Sequence, residues 1–588
     1  MVSAPPTTRD IQVLSVGADT LMLRSRSWAR LKFEVEYALQ RGTTSNSFLI
    51  KGDKVALRSL PGESFTELFL EQLQQLVLPA ELDYVILGHI NPNRFATLVK
   101  LLQLAPHLIV VCSNPGAITL RALLEAAREK NSTDSTQTIP DPELYVVKGQ
   151  ETLDLGKGHR LELIPTPTPR WPDGICAYDP KTAILYSDKF FGAHVAGEQV
   201  YDDGAKIYEA DRKYYYDCLM ATQISQVETS LERLAPWSAS AQIYAPVNGP
   251  LLRQGALEIF QSYQAWNHQQ ATQTLSVAML YASAYGNTAI LSQAIAHGIT
   301  KAGVAVETIN CEHISPEEIR EVISRTDGFI IGSPTLGGHA PTPIQTALGI
   351  ILATAEKSKL AGVFGSYGWS GEAIDLLEEK LKNAGYSFGF APIRVKFTPS
   401  DAILQQCEEA GTDFAQALKK AKKVKQVARP LATPVEQAVG RLVGSLSIVT
   451  AQRGDATGAM VASWIAQASF NPPGLTVAVA KDRAIESLLY PGDQFVLNLL
   501  EEGKHIPLMK HFLKPFGPGE DRFVGIETKQ AQSGLPILKD ALSYLECRVQ
   551  SRMDCGDHWL VYCTAEAGDV FTPSGKAAVH YRTTGTHY

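Results

Sequence analysis

The stretch that most constrains this chain is Ser283-Ala284-Tyr285-Gly286-Asn287-Thr288. It follows an apolar run over 277–282 that predicts a buried parallel strand. It precedes 289–301, where Ile290, Leu291, Ile295 and Ile299 recur at helical spacing. A small-polar loop between strand and helix presents hydroxyls and free N–H groups at a helix N-terminus, which suits a phosphate. One such loop also matches an ordinary Ser/Asn/Thr cap with a Gly turn. Two further loops narrow the choice. Ser333-Pro334-Thr335-Leu336-Gly337-Gly338 follows the apolar run 328–332, and Gly365-Ser366-Tyr367-Gly368-Trp369-Ser370-Gly371-Glu372 follows 360–364. Each leaves the carboxyl end of a candidate parallel strand, where open α/β sheets bind ligands. Tyr285, Tyr367 and Trp369 could flank a planar ring. No G-x-G-x-x-G follows the first strand, which disfavours a dinucleotide there.

Together these loops resemble those of flavodoxin. The resemblance implies an FMN held by Ser283, Tyr285, Gly286, Asn287, Thr288, Ser333, Pro334, Thr335, Leu336, Gly337, Ser366, Tyr367, Gly368, Trp369, Ser370 and Gly371. The surrounding block, 270–425, reads as a doubly wound α/β domain. A second strand is expected at 305–309. Ser315-Pro316-Glu317-Glu318 then forms a capping box with Pro at the first helical position, opening a helix to 325. A helix over 372–385, a last strand over 388–397 and a final helix over 401–425 complete the block. The basic end of that helix, from Lys419 to Lys425, complements the macrodipole; a docking patch for an acidic electron donor is the other reading.

At 588 residues the chain exceeds one core, and about three or four domains are expected. The net charge of -7 argues against a general nucleic-acid surface. No apolar run approaches the roughly 18 residues that span a membrane, and the N-terminus carries no secretory pattern. Eight cysteines without a C-x-x-C pair read as free thiols in a reducing cytoplasm.

In the first block, short strands are expected within 10–60, with a hairpin about Gly52-Asp53, and at 84–88, 108–112, 161–165, 183–187 and 242–246. Helices are expected at 65–76 and 95–102. The order resembles the metallo-β-lactamase-like domain of the flavodiiron proteins, over 1–265. That family carries H-x-E-x-D-H after a buried strand, a set that suits two iron ions. Here His89 remains, but Asn91, Asn93 and Arg94 stand at the other positions. Arg170 precedes Trp171-Pro172-Asp173, Lys189 precedes Phe190-Phe191-Gly192, and Asn248 precedes Gly249-Pro250, where the family has further ligands. The resemblance therefore implies a degenerate site without di-iron, although Asp188 and His194 could in principle rescue one. Three carboxylates are lost and three cations gained. Side-chain charge then takes the place of metal charge. Such a pocket would hold an anion such as chloride or phosphate, or its cations would pair with Asp173 and Asp188.

In the last block, 427–434 reads as a linker with two prolines. Strands are expected at 446–451, 458–463, 475–479, 494–499 and 541–550, as in a split β-barrel over 435–588. The segment from Gly458 to Pro473 resembles the flavin-binding core of small flavin reductases, with Asp557-His558-Trp559 matching a second segment. This implies FMN or FAD near Ser463, Gln467, Ser469 and His558. His580-Tyr581-Arg582 and His587-Tyr588 could close over the nicotinamide side.

The three domains in this order resemble the three-domain flavodiiron proteins of oxygenic phototrophs, also called diflavin flavoproteins. The resemblance implies that NAD(P)H supplies electrons, which pass through the flavins toward oxygen and yield water in photoprotective electron disposal. No catalytic residue is expected beyond the flavins. The resemblance also implies a homodimer or a hetero-oligomer with a related flavodiiron subunit, and the degenerate site favours an iron-containing relative as that partner. The other reading is a non-catalytic regulatory or scaffolding subunit of a flavodiiron hetero-oligomer. Free reduced flavin giving superoxide or peroxide is a further alternative.

Overall fold

The structure, a computed structural model, describes residues 9–28, 42–131, 139–168, 170–203, 208–312, 314–425 and 433–582; the side chains of 130, 131 and 423–425 fall outside it. Most of the linker and the expected His587-Tyr588 contact thus lie outside the described residues. The chain divides into two compact units, Met1–Thr272 and Gln273–Tyr588.

The first unit is built from two facing sheets. One has seven strands in sequence order, from Arg9–Gly17 to Leu144–Val147. Its first four strands are antiparallel and the rest join in parallel. The second sheet orders Ile243–Pro246, Ile184–Asp188, Ile175–Asp179, His159–Pro165 and Glu151–Gly156. Phe48, Ile50 and Ile86 of one sheet meet Leu161, Ile175 and Tyr186 of the other in one buried core. The outer faces are covered by the helices Thr66–Gln74 and Phe95–Leu104 on one side, and by Glu209–Leu219, Ile224–Ser238 and Ala256–Ala271 on the other. This αββα sandwich satisfies both apolar faces of each sheet.

The second unit opens with a parallel sheet ordered Ala305–Asn310, Ser276–Tyr281, Gly328–Pro334, Leu360–Tyr367. The expected last strand over 388–397 is instead two pieces, Ser387–Phe388 and Ile393–Lys396, both pairing with Leu360–Tyr367. Pro392 between them has no N–H to give a ladder. The helices Pro316–Arg325, Thr342–Thr354 and Glu372–Asn383 bury Ile319, Ile344 and Leu377 against one face of the sheet. Ser315 and Glu318 form the expected capping box. Asn287–Lys301 and Asp401–Lys425 lie together, and glycine allows it. A Cβ on Gly298 would stand 2.0 Å from the Glu408 carbonyl oxygen, and one on Gly411 would stand 2.0 Å from that of Ile295.

The remainder is a seven-stranded antiparallel sheet ordered Ala456–Ala462, Ser447–Arg453, Gln494–Leu499, Ser543–Asp554, His558–Val570, Pro473–Ala480, Ile465–Phe470. Two of these strands have no counterpart in the sequence reading. His558–Val570 buries Val561 and Cys563 at alternate positions. Ile465–Phe470 is an edge strand with little buried surface, so it carries no alternation to read. Among the described residues, no helix is long and apolar enough to cross a membrane. All eight cysteines are unpaired, and all but Cys555 are buried.

Candidate functional site

Ser366 ties the three small-polar loops together. Its hydroxyl is hydrogen-bonded to Thr288 Oγ1 at 2.8 Å, and its carbonyl accepts the Thr335 N–H at 2.9 Å. Thr288 belongs to the first turn of Asn287–Lys301, so one serine fixes the first and second loops against the third. Gly286 precedes that helix with φ +81, and Ser283 Oγ accepts the Ala289 N–H at 3.2 Å. Gly337 and Gly338, with φ +56 and +83, form the tip of a turn closed by mutual hydrogen bonds of Leu336 and His339. A Cβ on Gly286, Gly337 or Gly338 would meet nothing within 4 Å. These glycines therefore face open space and leave room for a ligand to approach backbone. Ser333 is buried, its hydroxyl donating to the Pro334 carbonyl at 2.8 Å. Ser370 bonds the Glu372 carboxylate and lowers its pKa.

Two observations test these loops against FMN. Thr335 Oγ1 is buried without a hydrogen-bond partner, which is costly unless a ligand atom meets it. Tyr285 and Trp369 are 87% and 91% exposed, two large aromatic side chains open to solvent. Both features suit a phosphate-bearing planar molecule. Tyr367 and Gly368 continue toward Phe397, whose N–H bonds the Tyr367 carbonyl at 2.9 Å. Phe397 stands edge-on to Trp369 at 6.3 Å with φ +59, a side chain the sequence reading left inside a strand. Glu312 was missed as well; it accepts the Ser283 N–H at 3.2 Å.

The last block contains a second candidate site, a cavity of about 740 Å³. Such a volume suits a cofactor. Met460, Ser463, Trp464, Met509 and Phe516 line it, with Arg483 and Lys514 as cations. Ser463 and Trp464 form the turn between Ala456–Ala462 and Ile465–Phe470. His558 is not in the wall; its ring lies 5.0 Å from that of Trp464. Gln467 and Ser469 also fall outside the wall, and Ser469 Oγ donates to the Pro472 carbonyl at 2.7 Å. Of the expected C-terminal residues, His580 lines the cavity and the Arg582 guanidinium lies 4.6 Å from the Trp464 ring centre.

The residues of the degenerate metal motif are committed elsewhere. His89 Nδ1 is 2.7 Å from Asp173 Oδ1, and the other oxygen of Asp173 accepts the Ile90 N–H at 2.7 Å. Asn91 caps the turn before Phe95–Leu104 by accepting the Asn93 N–H at 2.9 Å. Asn248 is buried and donates to the Thr44 carbonyl at 2.6 Å. Asp188 lies 4.0 Å from the Arg58 guanidinium. The Arg170 guanidinium and the Lys189 ammonium lie 5.1 and 5.5 Å from the Trp171 ring centre. His194 Nδ1 contacts Thr43 Oγ1 at 3.1 Å. Enclosure, then Lys189, Arg170 and Arg94, pull the His194 pKa down to about 3. No group of three or more His, Cys, Asp or Glu side chains that could hold a metal occurs among the described residues. Three cations and three amides do not fit a di-iron cage. Asp188 stands beside Arg58 and His194 against Thr43, and neither belongs to such a group.

Comparison with known proteins places names on these parts. Residues 43–234 match the ODP family beta lactamase model, 279–411 match flavodoxin, and 439–586 match the flavin reductase like domain. Diflavin flavoprotein A 6 of Nostoc sp. is 60% identical over 99% of both chains. Diflavin flavoprotein A 1 of Synechocystis sp. is 42% identical, again over 99% of each. The metal-soaked Flv1 flavodiiron core from Synechocystis sp. is a solved structure similar to this chain at 57% identity, with a TM-score of 0.66; the match covers 70% of this chain and all of that one. Flavodoxin and flavin reductase domains in one chain imply flavin binding and flavin-based oxidoreductase activity. With its three domains and these full-length relatives, the chain belongs to the diflavin flavoprotein A family, the flavodiiron proteins.

Proposed function

We propose that this chain is an NAD(P)H-dependent flavin oxidoreductase subunit that passes electrons through FMN toward oxygen, together with an iron-containing relative. The observation that carries this reading is the contrast between its sites. The loop cluster about Ser366 has an orphaned Thr335 hydroxyl and exposed aromatic side chains ready for a flavin. The motif about His89 has arginine, lysine and amide where iron would need carboxylate and imidazole. Bound flavin would supply the chemistry of accepting a hydride and releasing electrons singly.

The chain's own residues do the binding and orienting. The first turn of Asn287–Lys301 points backbone N–H groups at the space above Gly286, where a phosphate gains from the helix dipole. Thr288 and Ser366 hold each other, so the loop is set before the ligand arrives. Tyr285 and Trp369 offer faces to a ring, and the Leu336–His339 turn closes one side. The cavity beside Trp464 takes the second flavin.

The test is flavin and iron content of the purified chain, with NADPH bleaching and oxygen uptake. Two flavins per chain that bleach, little iron and slow oxygen uptake are expected. Adding an iron-bearing relative should raise uptake above the sum of the two alone. Two irons per chain with fast uptake would overturn the reading, as would flavins that NADPH and NADH both leave oxidised.

A further inference from the structure

The 740 Å³ cavity beside Trp464 is not walled by the flavin reductase-like domain alone. One side is the last helix of the flavodoxin-like domain, Asp401–Lys425, which contributes Glu409, Thr412, Asp413, Gln416, Ala417 and Lys420. We propose that the reductase-domain flavin site is a composite of both domains, in which Glu409 positions the loop wall and Lys420 supplies a cation for the flavin phosphate. This rests on the reading of the cavity as the second flavin site.

Glu409 is 5% exposed. A buried carboxylate needs partners, and besides Gln405 of its own helix they come from the other domain. Its Oε2 accepts the Gly519 N–H at 2.9 Å, and its Oε1 accepts from Arg522 Nη1 at 3.0 Å. Gly519 has φ +75, and Gln406 stands 3.0 Å from where a Cβ would be. The loop is therefore pinned to the helix by one carboxylate. That loop carries Lys514 and Phe516 into the cavity wall, and Arg522 itself lies 5.6 Å from the Phe516 ring centre. Charge-assisted bonds of this kind are about twice as strong as neutral ones. A second clasp closes the opposite side: Gln416 Nε2 donates to Asp482 Oδ2 at 3.2 Å, beside Arg483 in the wall.

Charge identifies the ligand class. Lys420, Arg483, Lys514 and Arg522 line the cavity against Glu409, Asp413 and Asp482, and Arg522 is paired with Glu409. With that pair neutralised, three cations stand against two carboxylates in the wall. Trp464, Met460, Met509 and Phe516 supply apolar surface for a ring. A planar aromatic molecule carrying a phosphate matches both halves.

The experiment measures retention and rebinding of flavin by full-length variants, comparing FMN with riboflavin, which lacks the phosphate. Lys420 is exposed, so Lys420→Glu should fold, keep the flavodoxin-site FMN and bind the second FMN at least about fivefold more weakly. It should leave riboflavin unchanged, and Lys420→Arg should restore FMN. Glu409→Gln should weaken FMN and riboflavin alike, because it loosens the wall rather than the phosphate contact. If wild type carries two flavins and bleaches while both variants match it, the composite site is wrong and the functional reading stands. If wild type carries a single flavin that NADPH and NADH leave oxidised, both fall together.

Discussion

A buried hydroxyl with no partner, such as Thr335 Oγ1, raises the energy of the empty protein and lowers it again when a ligand atom arrives. Thr335→Val has nearly the same shape and removes the orphan. The flavin-free chain should gain about 1 kcal/mol, while FMN should bind about tenfold more weakly. Opposite signs in denaturant titration and flavin titration would identify the hydroxyl as a ligand contact; equal FMN affinity would make it a packing defect. His194 makes a separate prediction. Its folded pKa of about 3 lies below the ordinary 6.5, with Lys189, Arg170 and Arg94 facing it and Tyr215 against its ring. Between those values the unfolded chain takes a proton that the folded chain refuses. Stability is therefore lost as pH falls from 6.5, by roughly 3 kcal/mol at pH 4.5. His194→Gln should flatten that part of the pH profile in urea unfolding monitored in the first unit. Asp413 carries the opposite shift, with burial raising its pKa from 3.8 to about 6. Its charge costs stability above pH 6, so Asp413→Asn should stabilise at pH 8 and leave pH 3 unchanged. Because the site is partly hydrated, the gain should be about 1 kcal/mol.

At the scale of elements, the helix pair Asn287–Lys301 and Asp401–Lys425 joins the two candidate flavin sites. The first helix starts in the phosphate loop and ends at Lys301, which is bonded to Glu408 and lies 3.4 Å from Glu486. The second helix walls the cavity. The pair meets at Gly298 and Gly411, where any Cβ would strike backbone. Gly298→Ala or Gly411→Ala should destabilise by about 1–3 kcal/mol through overpacking, and should release the second flavin as well. A variant destabilised by that amount yet retaining the second flavin would uncouple helix spacing from the cavity. The same elements show what sequence can carry. Parallel strands such as Ser276–Tyr281 and Leu360–Tyr367 are legible because both faces are buried, so they read as continuous apolar runs. The capping box at Ser315 is legible because its residues are local. Ile465–Phe470 is not, since an edge strand with exposed side chains has no period. The role of Phe397 depends on a backbone turn out of strand geometry that no pattern announces. The bonds from Glu409 to Gly519 and Arg522 cross more than a hundred positions of sequence, so no local pattern records them. The lost metal ligands were visible as residue types, but the pairing of His89 with Asp173 needed the fold.

On the scale of the molecule, the two units carry opposite expectations for ligands. A ligand that binds only the folded state stabilises by an amount set by its concentration over its Kd, about 2.7 kcal/mol at a hundredfold excess. The unit Gln273–Tyr588 holds both candidate flavin sites, and the unit Met1–Thr272 holds the degenerate motif. Calorimetry of the full chain stripped of flavin should therefore show FMN moving the transition of the second unit upward by several degrees. Ferrous iron added without oxygen should leave the first unit's transition where it was. Asp188 lies beside Arg58, Asp173 is bonded to His89, and Arg94, Arg170 and Lys189 set three cations about His194. Iron would have to bind against those three positive charges, so even millimolar iron should find no favourable site. An upward shift of the first transition with iron, abolished by His89→Ala, would mean that the cations swing aside and that the unit assembles a metal centre after all. A shift with FMN in the first transition would instead relocate the flavin.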